Sequence, residues 1–219
     1  MAPSVHRRSY RQACNIARSL DLTGDRWTLL VVRELLTGPK RYGDLLASLS
    51  GIGTNLLATR LRQLEADGLL DHERAPGMRK TQVYHLTEQG RWLEPVLMEL
   101  VRFGTRAKLS GNAGDYSRPG WAVLSAKAAF RADRAAGLNE RYEFRIGDEV
   151  FYLGVKDGRP DHGAGQATDP AVVAAMSESA FDRLMSGRLS IPSATASGEV
   201  QIVSGYPAAL ERCELIYRP

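Results

Sequence analysis

Residues 50–86 read SGIGTNLLATRLRQLEADGLLDHERAPGMRKTQVYHL and decide how the first half of the chain is interpreted. Thr54 follows a turn that is rich in glycine, and the apolar residues after it recur at helical spacing. Gly68 is a helix stop, and Pro76-Gly77 separates two short runs in which apolar and polar residues alternate. The stretch therefore predicts a helix and then a hairpin, over residues 54–67 for the helix and 69–74 and 81–86 for the strands.

The flanking sequence predicts further helices on both sides of this stretch. Apolar residues at helical spacing, with turns rich in glycine and proline between them, predict helices over residues 11–20, 26–36 and 42–49. A long helix is expected after Thr87, reaching about Lys108. Helices followed by a two-stranded hairpin are the order of elements in a winged helix-turn-helix.

The predicted helix 54–67 has two unlike faces. Leu57, Leu61 and Leu64 lie within about 60° of one another at about 100° per residue, so they form the buried stripe. The opposite face carries Asn55, Arg62 and the small Thr59, with no acid in its first two turns. A helix that enters the major groove of DNA needs such a face, because the phosphates repel carboxylates.

Each polar residue of this face has an expected role in binding DNA. Asn pairs with an adenine edge and Arg with a guanine edge, while Thr54 is predicted as the N-cap, where a phosphate can bind. Arg60 lies on the flank and is expected on the DNA backbone. The hairpin tip and the start of the third helix add cations. The predicted DNA-binding residues are Lys40, Arg41, Thr54, Asn55, Thr59, Arg60, Arg62, Gln63, Arg79 and Lys80.

Charge is distributed unevenly along the 219 residues. Residues 1–110 hold 17 Lys and Arg against 11 Asp and Glu, whereas residues 111–219 hold 12 against 14. A basic half suggests a polyanionic partner, although solvated arginines on an ordinary surface would give the same count. The 43% hydrophobic content excludes a disordered protein, and no apolar run is long enough to span a membrane. With two cysteines and no secretory signal, we expect a cytoplasmic protein.

The composition changes at the predicted linker, residues 109–120, which separates domains 1–108 and 121–219. The second domain is predicted as a small α+β domain, in which 171–176 is a weaker strand whose residues would also suit a helix. Its aromatic and methionine side chains suggest an apolar cavity, although such residues are more often plain core. Helices are expected over 121–136, 177–185, 193–196 and 207–217, and strands over 141–146, 149–156, 160–163, 171–176 and 199–203.

Residues 11–108 contain the motifs Gly24-Asp25-Arg26-Trp27-Thr28, Tyr42-Gly43-Asp44-Leu45, Asn55-Leu56-Leu57 and Arg60-Leu61. Through these motifs, the segment closely resembles the HxlR family of bacterial transcriptional regulators. The resemblance implies a homodimer held by the first and last helices of this domain, with two recognition helices on a palindromic DNA site.

Residues 119–217 contain the motifs Lys156-Asp157-Gly158, Asp169-Pro170, Met185-Ser186-Gly187-Arg188 and Ser197-Gly198-Glu199-Val200. Through these looser motifs, the segment resembles the sterol carrier protein type two fold. The resemblance implies a tunnel for hydrophobic molecules. From side-chain character alone, the expected ligand-binding residues are Phe130, Phe151, Met176, Phe181, Met185 and Ile191.

Cys14 is a candidate redox sensor, because some members of the first family use a cysteine here and Arg11 and Arg18 would favour its thiolate. This chain has Asn15 where family members often have proline. The alternative is a small buried residue at a dimer interface.

No pattern in the sequence predicts catalysis, a metal or a cofactor. The four histidines, His6, His72, His85 and His162, lack metal-ligand spacing, and no phosphate-binding loop is present. We therefore expect a regulator, with repression as the expected direction, that binds double-stranded DNA as a homodimer and responds to an apolar small molecule. The alternatives are a carrier of lipids or other hydrophobic ligands, whose helical half only dimerises, and a redox-sensing regulator.

Overall fold

The computed structural model describes residues 9–74, 82–107, 118–185 and 188–217, which divide into two compact units, Met1–Leu97 and Met98–Pro219. The elements that begin in the first unit are α1 (Asn15–Thr23), α2 (Thr28–Leu36), β1 (Lys40–Arg41), α3 (Tyr42–Ser48), α4 (Thr54–Ala66), β2 (Leu70–Arg74), β3 (Gln82–Leu86), α5 (Glu88–Arg91) and α6 (Glu94–Arg106).

The first unit is a winged helix-turn-helix, as the sequence predicts. Helices α2, α3 and α4 bury aliphatic side chains such as Val31, Leu45 and Leu61 in one core. Strands β2 and β3 form the antiparallel hairpin, and the order of strands in this sheet is β1-β3-β2. Gly68 ends α4 with φ +71°, a left-handed conformation that glycine adopts without steric cost.

The first helix begins at Asn15, so the prediction that it starts at Arg11 is wrong. Arg11 has φ +53°, which no right-handed helix contains. The segment before Cys14 instead turns toward the side chain of Asp21. The Ser9 hydroxyl and the Tyr10 N–H donate to its two carboxylate oxygens, at 2.8 and 2.9 Å.

Two other details of the first unit differ from the sequence prediction. The predicted long helix after Thr87 is broken into α5 and α6, because Pro95 lacks an N–H and its ring would clash with the carbonyl of Arg91. The two-residue strand β1 was not predicted. Its Lys40 and Arg41 pair with Tyr84 and Val83 of β3, and two residues are too few to show an alternating pattern.

The second unit is an α+β fold around a mixed sheet with strand order β6-β5-β4-β7-β8. Strands β4 and β7 are parallel and the other neighbours are antiparallel. A short 3₁₀ turn, Pro119–Trp121, precedes the first helix. The elements are α7 (Ala122–Ala129), β4 (Glu140–Ile146), β5 (Glu149–Lys156), β6 (Arg159–Ala164), β7 (Val172–Met176), α8 (Glu178–Met185), α9 (Ile191–Ala196), β8 (Val200–Gly205) and α10 (Pro207–Tyr217).

One face of this sheet carries the core of the second unit. Tyr142 on β4 and Leu153 on β5 are cross-strand partners in it, and helices α7 to α10 all contribute side chains to the same cluster. The ambiguous segment 171–176 is a strand, because β4 and β8 pair with it on either side. The predicted helix 121–136 is too long: α7 ends at Ala129, and the Arg131 N–H donates to the Ile216 carbonyl oxygen of α10 at 2.9 Å.

Most of the predicted linker 109–120 lies outside the described residues, so its limits stay a prediction. Within the described parts of the chain, we find no helix with both the length and the apolar character that crossing a membrane requires.

Candidate nucleic-acid interface and ligand cavity

Helix α4 presents its polar face to solvent because its leucines anchor the opposite side. Leu57, Leu61 and Leu64 are buried, whereas Asn55 and Arg62 are exposed. Their outward neighbour Thr59 is half-buried, and its hydroxyl donates to the Asn55 carbonyl oxygen at 2.8 Å. No acid lies in the first turn of α4, so the surface around Asn55 offers donors without a carboxylate of the same helix.

The helix begins differently from the prediction. Gly53 is the N-cap and Thr54 is the first helical residue, so the assignment of Thr54 as the cap is wrong. The exposed Thr54 contributes its carbonyl oxygen instead, which accepts a hydrogen bond from the Tyr42 hydroxyl at 2.7 Å and ties α3 to the start of α4. With no side-chain cap, the first backbone N–H groups of α4 remain available to an anion.

Arg62 carries the one long cationic side chain on the outward face of α4. Its Nε donates to the Ala58 carbonyl oxygen at 3.2 Å, and Nη2 lies 3.5 Å from the Thr59 hydroxyl oxygen. These contacts lay the exposed guanidinium along its own helix. The group thus lies on the solvent-facing side of α4, opposite the buried leucines.

Arg60 was predicted from the sequence to contact the DNA backbone, but its side chain is hydrogen-bonded within the first unit. Its Nη1 donates to Asp25 and, at 2.8 Å, to Oε1 of Gln63, and only 15% of its side chain is exposed. Gln63, another predicted DNA contact, is half-buried beside it. The structure therefore gives both side chains partners within the protein.

The remaining predicted DNA contacts lie around the sheet. Lys40 is half-buried and Arg41 exposed on β1, where the Arg41 N–H donates to the Asp44 carboxylate at 3.0 Å and starts α3. Arg79 and Lys80, at the hairpin tip, lie outside the described residues.

The second unit contains a cavity of about 880 Å³. All six residues expected from side-chain character border it, namely Phe130, Phe151, Met176, Phe181, Met185 and Ile191. The sequence analysis missed other lining residues, among them Phe144, Leu153, Leu184 and Tyr217, because they come from several elements and share no local pattern. A mainly apolar space of this size lies within the range of small-molecule sites.

Aromatic rings form much of the cavity wall. Phe144 stacks on Phe151 with ring centres 5.4 Å apart, and Phe181 meets Phe151 edge-on at 6.3 Å. The Phe130 and Tyr217 rings lie 5.6 Å apart. The Tyr217 hydroxyl donates to the Gly154 carbonyl oxygen, which satisfies the polar end of a buried ring.

The two cysteines are both free and have opposite environments. Cys14 is exposed at the N-cap of α1, where hydrogen bonds from the backbone of Ala17 and Ile16 lower the pKa of its thiol. Cys213 borders the cavity and is buried, and burial raises the pKa of its thiol. Thiolate chemistry is therefore favoured at Cys14 and disfavoured at Cys213.

One group of possible metal ligands occurs among the described residues: Glu65, Asp71 and His72, whose ligand atoms lie within 4.8 Å of one another. His72 Nδ1 lies 2.8 Å from Glu65 Oε1, so these two side chains already contact each other directly. All three side chains are at least partly exposed, and we assign no site there.

Comparison with known proteins finds two family matches along the chain. Residues 22–110 match the HxlR-like helix-turn-helix model, and residues 123–204 match the SCP-2 sterol transfer family. The uncharacterized HTH-type transcriptional regulator sll1512 of Synechocystis sp. (strain PCC 6803) is 39% identical over 92 residues, which are 42% of this chain and 68% of that protein.

Other relatives are similar over a comparable share of the chain. The uncharacterized HTH-type regulator Rv3095 of Mycobacterium tuberculosis is 39% identical over 41% of this chain, which spans only 56% of that relative. HTH-type regulator YodB of Bacillus subtilis is 32% identical over 37% of this chain and 73% of its own. The solved structure of reduced YodB covers 46% of this chain with 28% identity and a TM-score of 0.40. The chain thus belongs to the HxlR-like helix-turn-helix family of transcriptional regulators, and its second domain is similar to the SCP-2 sterol transfer family.

Proposed function

We propose that this protein is a homodimeric transcriptional repressor that reads an operator with α4 and is controlled by an apolar molecule in its second domain. The observation that carries the proposal is the outward face of α4, where Asn55 and Arg62 are exposed opposite a buried leucine stripe. A regulator of this kind acts where the DNA is, which in a bacterium is the cytoplasm.

The side chains of this face suit base recognition. The Asn55 amide pairs with an adenine edge and the Arg62 guanidinium with a guanine edge, each contact contributing about 1–3 kcal/mol of discrimination. The uncapped start of α4 and the cations Lys40 and Arg41 are placed to meet phosphates, which position the helix without reading sequence. Arg79 and Lys80 stay in the proposal on sequence grounds. We leave Arg60 and Gln63 out of the proposed DNA contacts because their side chains hydrogen-bond to each other.

Two exposed apolar surfaces support dimerisation. On α1, Ile16 is 72% exposed, and Leu20 lies one turn further along. Along α6, Val96, Leu100 and Phe103 form an exposed stripe at helical spacing, and Phe103 is 64% exposed. Apolar stripes of this kind are stable in water when a second copy covers them, and a two-fold dimer would then present two α4 helices to a palindrome.

The cavity supports control by a small molecule rather than catalysis. Its walls are aromatic and aliphatic, and stacked rings such as Phe144 and Phe151 favour a flat apolar ligand over a polar one. A coupling of about 1–3 kcal/mol between ligand and operator would change DNA affinity about 5- to 150-fold, which is enough for regulation.

DNA reading is tested by selecting duplexes from a randomised library and measuring their affinity at several salt concentrations. We expect a palindromic sequence to be enriched, and we expect Arg62→Glu to abolish the preference for it. Arg159→Glu, at an exposed arginine of the second domain, makes the same change in net charge and should retain the preference. A library that yields no sequence preferred over competitor DNA would refute the proposal.

Ligand binding is tested with the apolar fluorophore N-phenyl-1-naphthylamine on the full chain. Ala129→Trp places a large ring in the cavity lining and should weaken probe binding about tenfold or more. Ala208→Trp, at an exposed position of α10, is the control and should leave binding unchanged. Equal probe affinity in both variants would show that the probe does not occupy this cavity.

The chemistry of Cys14 favours a second candidate function, a redox-sensing regulator. An exposed thiol with a lowered pKa is the form that oxidants and electrophiles attack. If it senses electrophiles, N-ethylmaleimide, whose double bond adds to a single thiolate, should release the native protein from its operator and leave Cys14→Ser bound. Release of both proteins, or of neither, would remove this candidate.

A further inference from the structure

An ion pair joins Arg60 of α4 to Asp25, a loop residue that lies 35 positions earlier in the chain. The Arg60 guanidinium donates to the Asp25 carboxylate, and the same nitrogen donates to Gln63 Oε1 at 2.8 Å. Asp25 is 48% exposed, whereas the guanidinium side is largely covered, with Nε buried. The cation therefore faces the protein and not the surrounding solvent.

The loop that holds Asp25 contacts the helix-turn-helix at a second place. Residues 24–27 connect α1 to α2, and the Trp27 ring packs beside Gly51, where an added Cβ would lie 3.9 Å from the ring. The Arg26 guanidinium lies over the Trp27 ring, 5.7 Å from its centre. The loop thus braces both the turn before α4, through Trp27, and the second turn of α4, through Asp25.

The position of Arg60 on α4 explains what the pair does. At about 100° per residue, Arg60 lies roughly 140° from Asn55, at the edge of the buried leucine stripe and away from the outward face. Leucine packing is non-directional and leaves a helix some freedom to roll, whereas a charge-assisted hydrogen bond has a preferred direction. The ion pair therefore restrains the rotation of α4 about its own axis.

We propose that Arg60 is a positioning residue whose pairing with Asp25 sets the angle at which α4 presents Asn55 and Arg62 to DNA. This inference rests on the proposed function, and it assigns Arg60 no phosphate contact. The loop that ends α1 then sets the orientation of the reading helix, so a shift of α1 would reach the DNA-contacting face through Asp25.

The change in DNA affinity caused by Asp25→Asn has one sign if the ion pair positions α4 and the opposite sign if only charge matters. Asp25→Asn removes a negative charge, so electrostatics alone would strengthen binding to the polyanionic DNA. Positioning requires the opposite: we expect affinity for the selected operator to fall about fivefold, the size of effect that a partly exposed ion pair supports. Non-specific affinity should not fall, and the salt slope should stay at the native value. Glu73→Gln, at an exposed acid of β2, is the control and should not weaken operator binding.

Substitution of the other partner gives an independent readout. If Arg60 contacted a phosphate, Arg60→Gln would lower the salt slope by about 0.9 and weaken binding to all sequences alike. We expect an unchanged slope and a loss confined to the operator. The double variant Asp25→Asn/Arg60→Gln should bind about as well as either single variant, because both remove the same pair. Arg60→Lys, which keeps the charge, should recover part of the operator affinity.

The outcomes keep this inference apart from the proposed function. If the native protein prefers an operator and Arg62→Glu abolishes that preference, DNA reading stands whatever Asp25→Asn does. An Asp25→Asn variant that binds the operator as tightly as the native protein, or an Arg60→Gln variant with a reduced salt slope, overturns the positioning role alone. A native protein without operator preference overturns both. Circular dichroism of each variant checks that the native helix content is retained. If Arg60→Gln does not fold, Arg60→Lys replaces it as the conservative variant.

Discussion

Gly90→Ala sets two physical effects of opposite sign against each other. Alanine in the middle of a helix stabilises it by about 1 kcal/mol relative to glycine, so propensity alone predicts a more stable protein. A Cβ at Gly90, however, would lie 1.9 Å from the Leu69 carbonyl oxygen and 3.2 Å from a methyl carbon of Leu86. The first atom belongs to the backbone and cannot move away as a side chain can.

The steric effect should be the larger one. Overpacking costs about 1–3 kcal/mol. The Leu69 carbonyl also accepts the Thr87 N–H at 3.2 Å, so pushing it aside loses about 1 kcal/mol more. We therefore expect Gly90→Ala to lower the free energy of unfolding by about 1–3 kcal/mol after the gain in propensity.

Urea unfolding of the full chain, followed by circular dichroism and tryptophan fluorescence, measures this change. Gly43→Ala is a matched control, because Gly43 also lies in a helix but an added Cβ would have no neighbour within 4 Å. It should raise the free energy of unfolding by about 0.5–1 kcal/mol. If Gly90→Ala is as stable as Gly43→Ala, the close approach of Gly90 to the Leu69 backbone is wrong.

Three further outcomes are expected. Leu61→Ala, in the fully packed stripe of α4, should lower the free energy of unfolding by about 2–5 kcal/mol in denaturant titrations, and a loss under 1 kcal/mol would contradict its burial. Thr87→Ala removes the hydroxyl that accepts the Gly90 N–H at 3.0 Å and should cost about 1 kcal/mol by the same measurement, unless the cap is not formed. Iodoacetamide should label Cys14 in the folded protein, and the labelling rate should reach half its maximum below pH 9.0, the ordinary thiol pKa, because the pKa of this thiol is lowered. Cys213 should react only on unfolding, and mass spectrometry of the peptides measures the two cysteines separately. Equal labelling of both would be inconsistent with the burial of Cys213.

The helix that reads DNA in the proposal could be predicted from the sequence, because its pattern is local. Leu57, Leu61 and Leu64 repeat with the helical period, so their burial also fixes which residues face outward. Gly68 marks its end for an equally local reason, since it takes a left-handed conformation. The alternation in β2 and β3 identified the wing in the same way.

The roles of single polar residues could not be predicted, because they depend on partners distant in sequence. Nothing near Arg60 in the chain shows that Asp25, 35 residues earlier, holds its guanidinium. Likewise the helix pattern extended back to Arg11, but the carboxylate of Asp21 draws the preceding segment into another conformation. In both cases, hydrogen bonds to a residue distant in sequence overrode the conformation or role that the local pattern predicts.

The second unit shows the same division on a larger scale. Composition indicated an α+β domain and aromatic character suggested a cavity. The sequence of 171–176, however, predicted only a weak strand and would also have suited a helix. Pairing with β4 and β8 decided that it is a strand. The lining of the cavity was likewise decided by packing, which brings Phe144, Leu184 and Tyr217 together from three elements. Periodicity reports which side of an element is buried, whereas only the assembled fold determines which buried sides meet and where they leave a space.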